Sequence, residues 1–368
     1  MKNKYLEKLE FNKIKEILST YTVTFLGKNM VLFLEPMKSK IEIEKALKQT
    51  TEATVLILRK GNLPINEIAD IKPHIKILKS SNFLNAKQLL DIANVLKLSN
   101  DLKNYFLNEE IDMDGFTNLQ PLFQNLYVNL RLQKKIFDNI LDENNIDDNA
   151  SPKLKSIRKN IKDKENEIKD KLSFLINKKF VQEPIVTIRN DRYVIPIKSE
   201  CRSQIKGFVH DASASGATLF VEPLSVFELN NEINNLRLEE NLEIQKILKD
   251  LSKMFLEIID KLENDLNLIG MIDFIFAKAK YSIFLDASKP IINEEKKIVL
   301  LNCFHPLLNK NVAVKNDIYL GEKFSSLIIT GPNTGGKTVI LKTVRITCIN
   351  GYVWIAYSSQ RRKLDIYF

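Results

Sequence analysis

The stretch that decides the fold reads Leu327-Ile328-Ile329-Thr330-Gly331-Pro332-Asn333-Thr334-Gly335-Gly336-Lys337-Thr338, followed by Val339-Ile340-Leu341-Lys342-Thr343-Val344. A short apolar strand, a GxxxxGKT loop and a helix, in that order, distinguish a P-loop from a chance glycine-rich turn. Glycines let backbone N–H groups turn inward around phosphates, and the N-terminus of the helix adds a favourable dipole. The sequence therefore predicts a nucleotide phosphate site at the start of an α/β domain.

The residues of the predicted loop have distinct roles in that chemistry. Lys337 is placed to reach the β- and γ-phosphates, and the Thr338 hydroxyl helps to complete the Mg²⁺ shell. Thr338 is thus the candidate metal residue, through the nucleotide, and the expected cofactors are ATP and Mg²⁺. The other cofactor-binding candidates are Gly331, Pro332, Asn333, Thr334, Gly335 and Gly336. A glycine-rich turn with a chance lysine is the alternative, which the strand–loop–helix context disfavours.

Two long amphipathic segments precede the loop. Ser151-Pro152 is a helix-start signal, and a narrow apolar stripe follows it to about Pro184. A second stripe begins after Pro223. Narrow stripes are typical of helices that pair as an antiparallel coiled coil, so we predict that residues 153–182 pair with residues 226–268. The stripe residues are Leu154, Ile157, Ile161, Ile168, Leu172 and Leu175, and then Leu229, Ile233, Leu236, Ile244, Ile247, Leu251, Met254, Ile258, Leu262 and Leu266.

The segment between the two stripes, residues 185–222, has the composition of β-strands. Apolar runs at 185–188 and 193–197 flank the turn pair Asn190-Asp191, and a loop of small residues at 211–217 separates two further runs. We predict a small β unit at the far end of a helical arm. Its nucleic-acid candidates are Arg189, Arg192, Lys198, Arg202 and Lys206. The alternative is that these are ordinary solvated strand residues.

The predicted fold is mainly α, followed by the beginning of an α/β P-loop NTPase domain. Residues 1–150 form a helical core or lever, and residues 151–270 form coiled-coil arms with a β clamp tip at 185–222. A return helix to the core then occupies 271–290, and 291–344 begin the ATPase domain. In the first arm, residues 151–182 contain ten Lys or Arg against four Asp or Glu, so its exposed face is strongly basic.

Composition limits the classes of function. The 368 residues carry a net charge of +9, which suits a polyanionic partner such as nucleic acid. No apolar run approaches the roughly 18 residues that a membrane span requires, and the N-terminus lacks the apolar core of a signal peptide. Three cysteines without a CxxC pair fit a reducing cytoplasm. The three histidines have no ligand spacing, so a zinc site is not expected.

Four segments together resemble the second subfamily of the MutS ATPases. Thr330–Thr338 is similar to the MutS P-loop, in which Pro-Asn follows the first Gly. Thr334, together with the helix at Val339–Val344, resembles that subfamily in particular. Gly207–Pro223 is similar to its clamp segment, and Asn302–Leu308 to the His-Pro element that opens its ATPase domain.

The resemblance covers about residues 1–344 and implies a lever-and-clamp body without an N-terminal mismatch-reading domain. It implies an ATPase that dimerises head to head and, in complete members, a C-terminal Smr nuclease domain. The implied partners are branched or duplex DNA, the ribosome with its RNA, and a second copy of the chain. The implied roles are suppression of recombination and ribosome rescue. By the same resemblance, adenine would lie near a strand at Val312-Ala313-Val314.

The sequence after Thr338 lacks one part of that pattern. The only acidic residue among them is Asp365, so the apolar strand ending in Asp-Glu that would supply a Mg²⁺-water partner and a base is missing. We therefore expect a chain truncated shortly after the P-loop that hydrolyses ATP at no more than background, and we assign no catalytic residue. Two alternatives stay open: a scaffold with a remnant nucleotide site, and a coiled-coil structural ATPase of the chromosome-organising type. Proteins of the latter type place the P-loop ahead of the coiled coil.

The tail from Arg345 no longer resembles the subfamily. Reading its codons one nucleotide later permits a string close to what the subfamily carries after its P-loop. We therefore hypothesise a frameshift near Arg345, with residues 345–368 out of frame. Because such a tail was never selected to pack, we expect it to be poorly ordered. The gene sequence tests this hypothesis, because a stop codon in the shifted frame would contradict it.

Overall fold

The computed structural model describes residues 6–80, 82–107, 115–332, 335–352, 357–358 and 365–367. The protein is mainly α-helical with small sheets, as predicted. It divides into two compact units. The first comprises Met1–Pro73, Asp91–Gln133 and Ile258–Phe368, and the second comprises His74–Leu90 and Lys134–Glu257. Among the described residues, no helix is both long and apolar enough to cross a membrane.

Helices make up most of the first 150 residues. They are α1 (Phe11–Ser19), α2 (Phe25–Leu32), α3 (Lys40–Lys60), α4 (Lys72–Lys79), α5 (Ala86–Leu107), α6 (Gln120–Gln124) and α7 (Leu130–Asn139), with a 3₁₀ turn at Asp148–Ala150. In the first unit, α1, α2 and α3 all pack against a later helix, α10 (Ile259–Phe284). That helix is buried on nearly every side and forms the centre of the unit. A helix that is apolar all round must be surrounded by other elements, so it cannot serve as one arm of an exposed pair.

A buried carboxylate fixes the entry to α2 inside the first unit. Asp273 of α10 accepts hydrogen bonds from the backbone N–H groups of Val23 and Thr24 and from the Thr24 hydroxyl. Thr24 in turn caps α2 by accepting from the Gly27 N–H. A Cβ at Gly27 would collide with the Asp273 carboxylate, so only glycine fits there. Burial raises the pKa of Asp273, and these donors oppose that rise.

The second unit contains an antiparallel helix pair, α8 (Pro152–Ile176) and α9 (Leu224–Leu256). Their polar contacts run in opposite directions along the two helices. Ser151 Oγ donates to Glu243 at 2.9 Å, Arg158 Nε donates to Glu240 at 2.7 Å, and Lys164 pairs with Glu232. The prediction that the second arm extends to residue 268 is wrong. Helix α9 ends at Leu256, and the stripe residues beyond it belong to the central helix α10 of the first unit.

A four-stranded antiparallel sheet connects the two helices, in agreement with the predicted β unit. Its strands are β1 (Thr187–Arg189), β2 (Arg192–Lys198), β3 (Gly207–Ala212) and β4 (Thr218–Pro223), in the spatial order β1-β2-β4-β3. Asn190 and Asp191 both adopt positive φ in the β1–β2 turn, which is the conformation of a two-residue type I′ hairpin. The inner side of the sheet packs on the helix pair through Ile195, Ile197, Val221, Ile168, Leu172 and Ile233.

A second sheet lies in the first unit and combines strands from before and after the glycine-rich loop. Its order is β6 (Ile291–Asn293), β10 (Asp365–Tyr367), β7 (Ile298–Cys303) and β8 (Asn316–Leu320). A short two-stranded sheet pairs β5 (Ala287–Ser288) with β9 (Tyr357–Ser358). The last helix, α11 (Lys337–Tyr352), buries Ile340, Val344 and Cys348 against Leu300, Cys303 and Ile318 of β7 and β8.

Two predicted strands of the nucleotide domain are absent from this sheet. Residues 327–330 are not a strand, and Ile328 is 85% exposed. Val312 and Val314 flank the end of a turn and are 78% and 77% exposed, so no strand stands there to hold an adenine. A buried strand forms only where neighbouring strands complete its hydrogen bonds, and the described residues offer residues 327–330 no such neighbour.

The prediction that residues 345–368 are poorly ordered is wrong for residues 345–352. Helix α11 continues to Tyr352 and buries Thr343, Ile346, Thr347 and Asn350, which recur at helical spacing on one side. Ile346 joins the core formed by Phe11, Ile14 and Leu18 of α1. Residues 353–356, 359–364 and 368 of the tail lie outside the described residues. The frameshift hypothesis concerns the gene and stays a prediction.

Candidate nucleotide and nucleic-acid sites

The glycine-rich loop turns sharply at both of its described ends. Gly331 has φ +144° and Gly336 has φ +81°, values that side-chain-bearing residues rarely adopt. Gly335 N–H donates to Pro332 O at 3.0 Å, and Ile340 N–H closes the first helical turn on Gly336 O at 3.0 Å. Asn333 and Thr334 lie outside the described residues. The loop therefore delivers the chain directly into the N-terminus of α11, as the phosphate-site prediction requires.

The loop contains one charged side chain, that of Lys337. Its Nζ donates to Gly331 O at 2.6 Å, so the ammonium lies across the loop. Thr338 follows it in the first turn of α11 and is exposed. This donor set suits the phosphates of a nucleoside triphosphate: two glycines in conformations that orient backbone N–H groups, a helix N-terminus, a lysine and a threonine hydroxyl. In the bound state Lys337 would hold phosphate oxygens, and Thr338 would hold the accompanying Mg²⁺.

A cavity of about 580 Å³ adjoins the first turns of α11. Lys342 Nζ donates to Glu10 at 2.9 Å, and Lys13 Nζ donates to the same carboxylate at 2.6 Å. These two partners, Lys13 first, lower the pKa of Glu10 to about 2. His305 also lines the cavity, and burial lowers the pKa of its imidazole. The contact of Glu10 with the helix that follows the loop could not be predicted from the sequence, because its partner Lys342 lies 332 residues away.

The predicted nucleic-acid residues fall into two groups. Arg202 donates to the carbonyl oxygens of Ile205 and Gly207 at 2.7 and 2.6 Å, and so it closes the turn before β3. Lys206, beside it, is exposed. Arg189, Arg192 and Lys198 instead lie on β1 and β2 of the sheet at the end of the helix pair. The structure therefore brings Arg189 and Arg192 together beside the β1–β2 turn, places Lys198 at the opposite end of β2, and assigns Arg202 to local structure.

Arg192 is anchored by a buried network that the sequence did not reveal. Its guanidinium donates to Glu222 at 2.7 Å and to Asn231 at 2.7 Å. The fully buried Glu222 carboxylate also accepts from Asn230 at 2.7 Å and contacts His210 Nε2 at 2.6 Å. A buried charge is tolerated when it is paired and hydrogen-bonded in this way, so Glu222 organises β2, β3, β4 and the start of α9.

The arrangement defines a mainly helical protein with a helix pair that ends in a small sheet, and with a glycine-rich loop at the N-terminus of a late helix. Comparison of the sequence with curated proteins finds clear relatives. The chain is 43% identical to a protein of Acetivibrio thermocellus over 348 residues, which are 94% of this chain and 44% of the relative. It is 42% identical to a Clostridium perfringens protein over 353 residues, with 95% and 45% covered, and 39% identical to a Clostridioides difficile protein over 348 residues, with 94% and 44% covered.

All three relatives are named Endonuclease MutS2. The chain belongs to the MutS2 family, as its P-loop and clamp segment predicted. It spans about half the length of the curated relatives it matches. No family model matches the chain. Within the described residues, no group of three His, Cys, Asp or Glu side chains could hold a metal ion.

Proposed function

We propose that this chain is the ATP-binding and nucleic-acid-binding part of a MutS-type clamp. The observation that carries the proposal is the loop geometry at the start of α11, in a chain of the MutS2 family. A glycine-rich turn with positive φ at Gly331 and Gly336 leads into a helix that begins at Lys337. Backbone N–H groups and a lysine arranged in this way bind phosphates, whereas an ordinary loop has no need of either feature.

The helix pair supplies the nucleic-acid side of the proposal. Exposed lysines follow α8 along its length, and many of its apolar residues point inward. The exposed lysines of α8 are Lys153, Lys155, Lys159, Lys162, Lys169 and Lys171, and Lys178 and Lys179 follow just after the helix ends. A row of cations on a rod-like element attracts a phosphate backbone mainly through the release of counterions. Branched or duplex DNA and ribosomal RNA present the same phosphate chemistry to this row.

For the whole protein we propose the partners and activities of a MutS-type clamp. A second copy would dimerise through the nucleotide domains, and ATP would close the pair of arms around DNA or a ribosome. We also propose the activity that the name of the relatives states, cleavage of nucleic acid, and we assign no residue of this chain to it. The chromosome-organising alternative is disfavoured, because the loop follows the arms and the relatives are MutS2 proteins.

Nucleotide binding is tested by titrating the chain with a fluorescent ATP analogue in the presence of Mg²⁺. We expect Lys337→Ala to abolish saturable binding, because no other described side chain lies across the loop. Arg345→Ala, at an exposed cation of the same helix, is the matched control, and it should bind with nearly the affinity of the wild type. Equal binding by the wild type and Lys337→Ala would refute the nucleotide half of the proposal.

Nucleic-acid binding is tested by fluorescence anisotropy with a labelled duplex at several salt concentrations. We expect affinity to fall steeply with salt, and the slope to decrease by about one for each phosphate-contacting lysine replaced by glutamine. The variant Lys155→Gln, Lys159→Gln, Lys162→Gln tests α8. The control Lys28→Gln, Lys76→Gln, Lys79→Gln removes the same charge elsewhere. Identical salt slopes for both variants would contradict the assignment to α8.

A further inference from the structure

The residue that precedes α1 has an unusual backbone conformation. Glu10 has φ 59° and ψ 24°, which is the left-handed helical region. Glutamate is seldom found there, because its Cβ crowds the backbone. Such a conformation persists only where the surrounding contacts enforce it, and it is concentrated at functional sites. The contacts of Glu10 therefore identify what its conformation serves.

Two lysines hold the carboxylate of Glu10. Lys13 Nζ, one turn further along α1, donates to Oε1 at 2.6 Å, and Lys342 Nζ, on α11, donates to Oε2 at 2.9 Å. The backbone N–H of Lys13 also donates to the carbonyl oxygen of Glu10 at 3.0 Å. The side chains of Glu10 and Lys342 are 29% and 35% exposed, so their ion pair is partly shielded from water. One carboxylate thus joins the beginning of α1 to the helix that follows the glycine-rich loop.

Lys342 lies on the same side of α11 as the residue that would hold Mg²⁺. Thr338 and Lys342 are four positions apart, so their side chains are neighbours on the surface of the helix. Both line the cavity of about 580 Å³ to which Glu10 and Lys13 also contribute. Glu10 therefore contacts α11 about one turn away from the predicted phosphate site.

Apolar contacts attach the same two helices to each other. Ile346 of α11 is fully buried in a core that includes Phe11 and Ile14 of α1. Another side of α11 packs against β7 and β8 through Ile340 and Val344. The helix that follows the loop is therefore held between α1 and the sheet, and the ion pair extends the attachment to α1 toward the loop.

We infer that Glu10 is a positioning residue of the nucleotide site, through which nucleotide binding and the docking of α1 on α11 strengthen each other. This inference rests on the proposed nucleotide binding and adds to it the element of the chain that responds. A first helical turn that is already fixed loses little conformational freedom when it binds phosphates and Mg²⁺, and Glu10 fixes that turn through Lys342. Coupling between two equilibria is reciprocal, so a bound nucleotide stabilises the docked α1 by the same factor.

The inference is tested with the full chain by titration with the fluorescent ATP analogue and Mg²⁺. We expect Glu10→Gln, which keeps the shape of the side chain and removes its charge, to bind about fivefold more weakly than the wild type. Lys342→Ala should show a similar loss, and the two substitutions together should add little, because both remove the same contact. Glu16→Gln, at another carboxylate that lines the cavity, is the matched control and should bind like the wild type.

Two further measurements separate positioning from a purely structural contact. Glu10→Lys combined with Lys342→Glu restores opposite charges, so this double variant should bind the analogue more tightly than either single variant does. Amide exchange in α1 should become slower when the wild type binds the analogue, and it should not respond to the analogue in Glu10→Gln.

Three results would overturn the inference. The first is an unchanged affinity of Glu10→Gln, with or without a lower thermal stability, which would leave the pair as a structural contact. The second is a charge-exchanged variant that binds no better than the single variants. The third is amide exchange in α1 of the wild type that does not respond to the analogue. Failure of the wild type to bind the analogue at all would instead refute the proposed function.

Discussion

Asp265 is a buried carboxyl whose ionisation opposes folding. It accepts hydrogen bonds from the Ser99 hydroxyl at 2.7 Å and from the Tyr127 N–H at 2.9 Å. Burial nevertheless raises its pKa to about 6, and those two donors only partly oppose the rise. The folded state therefore binds a proton more tightly than the unfolded state does. The contribution of Asp265 to stability is complete below about pH 4 and declines as the pH rises to about 6.

The first prediction is that Asp265→Asn removes this pH dependence. Between about pH 4 and pH 7, the wild type should lose about 2 kcal/mol of unfolding free energy relative to the variant, which has no carboxyl to ionise at this position. Urea unfolding at several pH values measures it. Asp260→Asn, an exposed aspartate of the same helix, is the control and should show no comparable shift. A constant difference for Asp265→Asn across that range would contradict the prediction.

Single residues of a candidate site can be proposed from the sequence where the signals are local. The glycine-rich loop was proposed from its own residues and from the helix after it, whereas the strand expected before it is not found at residues 327–330. The sequence showed that the arginines near the sheet are charged, but it did not show that Arg192 and Arg202 have different partners. Arg192 is tied to Glu222, which lies 30 residues further along the chain, and Arg202 to two carbonyls of its own turn. Only the folded chain brings such partners together.

At the scale of elements, β3 and β4 pair around a glycine that accepts no side chain. A Cβ at Gly207 would collide with the backbone carbonyl oxygen of Glu222 on β4, one residue before Pro223, the residue opposite Gly207. That carbonyl belongs to the strand backbone and cannot move without separating the two strands. Gly207 therefore sets the distance between β3 and β4 and, with it, the position of Phe208.

The second prediction is that Gly207→Ala loosens the edge of the sheet. We expect a loss of about 1–3 kcal/mol in stability, typical of a substitution that forces backbone shifts, together with faster amide exchange in β3 and β4. Exchange in α8 far from the sheet should not change. Gly115→Ala is the control, because a Cβ there meets nothing. Unaltered exchange in both strands would show that the sheet accommodates the methyl group.

The sequence predicted a helix or strand correctly where a single local pattern determines it. The two-residue hairpin turn at Asn190-Asp191 and the helix start at Ser151 are both found at the predicted positions. The extent of the second arm was not predictable, because the apolar residues beyond Leu256 continue the same spacing although they belong to α10. The strand predicted at residues 327–330 is absent for a different reason. A strand needs neighbouring strands to pair with, and an apolar composition alone does not provide such neighbours.

At the scale of the whole molecule, the two units are each assembled from separate stretches of the chain. The glycine-rich loop lies in the first unit, and the helix pair with its sheet lies in the second. The sheet has its own core, which includes Ile168, Leu172, Ile195, Val221 and Ile233. All of these residues fall within 168–233, and the helix start is capped locally, since Ser151 Oγ accepts from Leu154 N–H. The core of the sheet is therefore contained in one uninterrupted segment.

The last prediction follows from that containment. A fragment of residues 150–256 should fold on its own into a helix pair with the sheet at its end, because the core around Val221 needs no residue from the first unit. Circular dichroism should show a mainly helical spectrum and a cooperative thermal transition, and amide exchange should be slowest in β2 and β4. Protection should be weaker near Ser252, whose hydroxyl otherwise accepts from Leu84 N–H outside the fragment. Val221→Asp, which places a charge at a fully buried position, is the control and should abolish the transition. If the unsubstituted fragment lacks a cooperative transition, the stability of the sheet depends on residues elsewhere in the chain, and the division into self-sufficient parts does not hold.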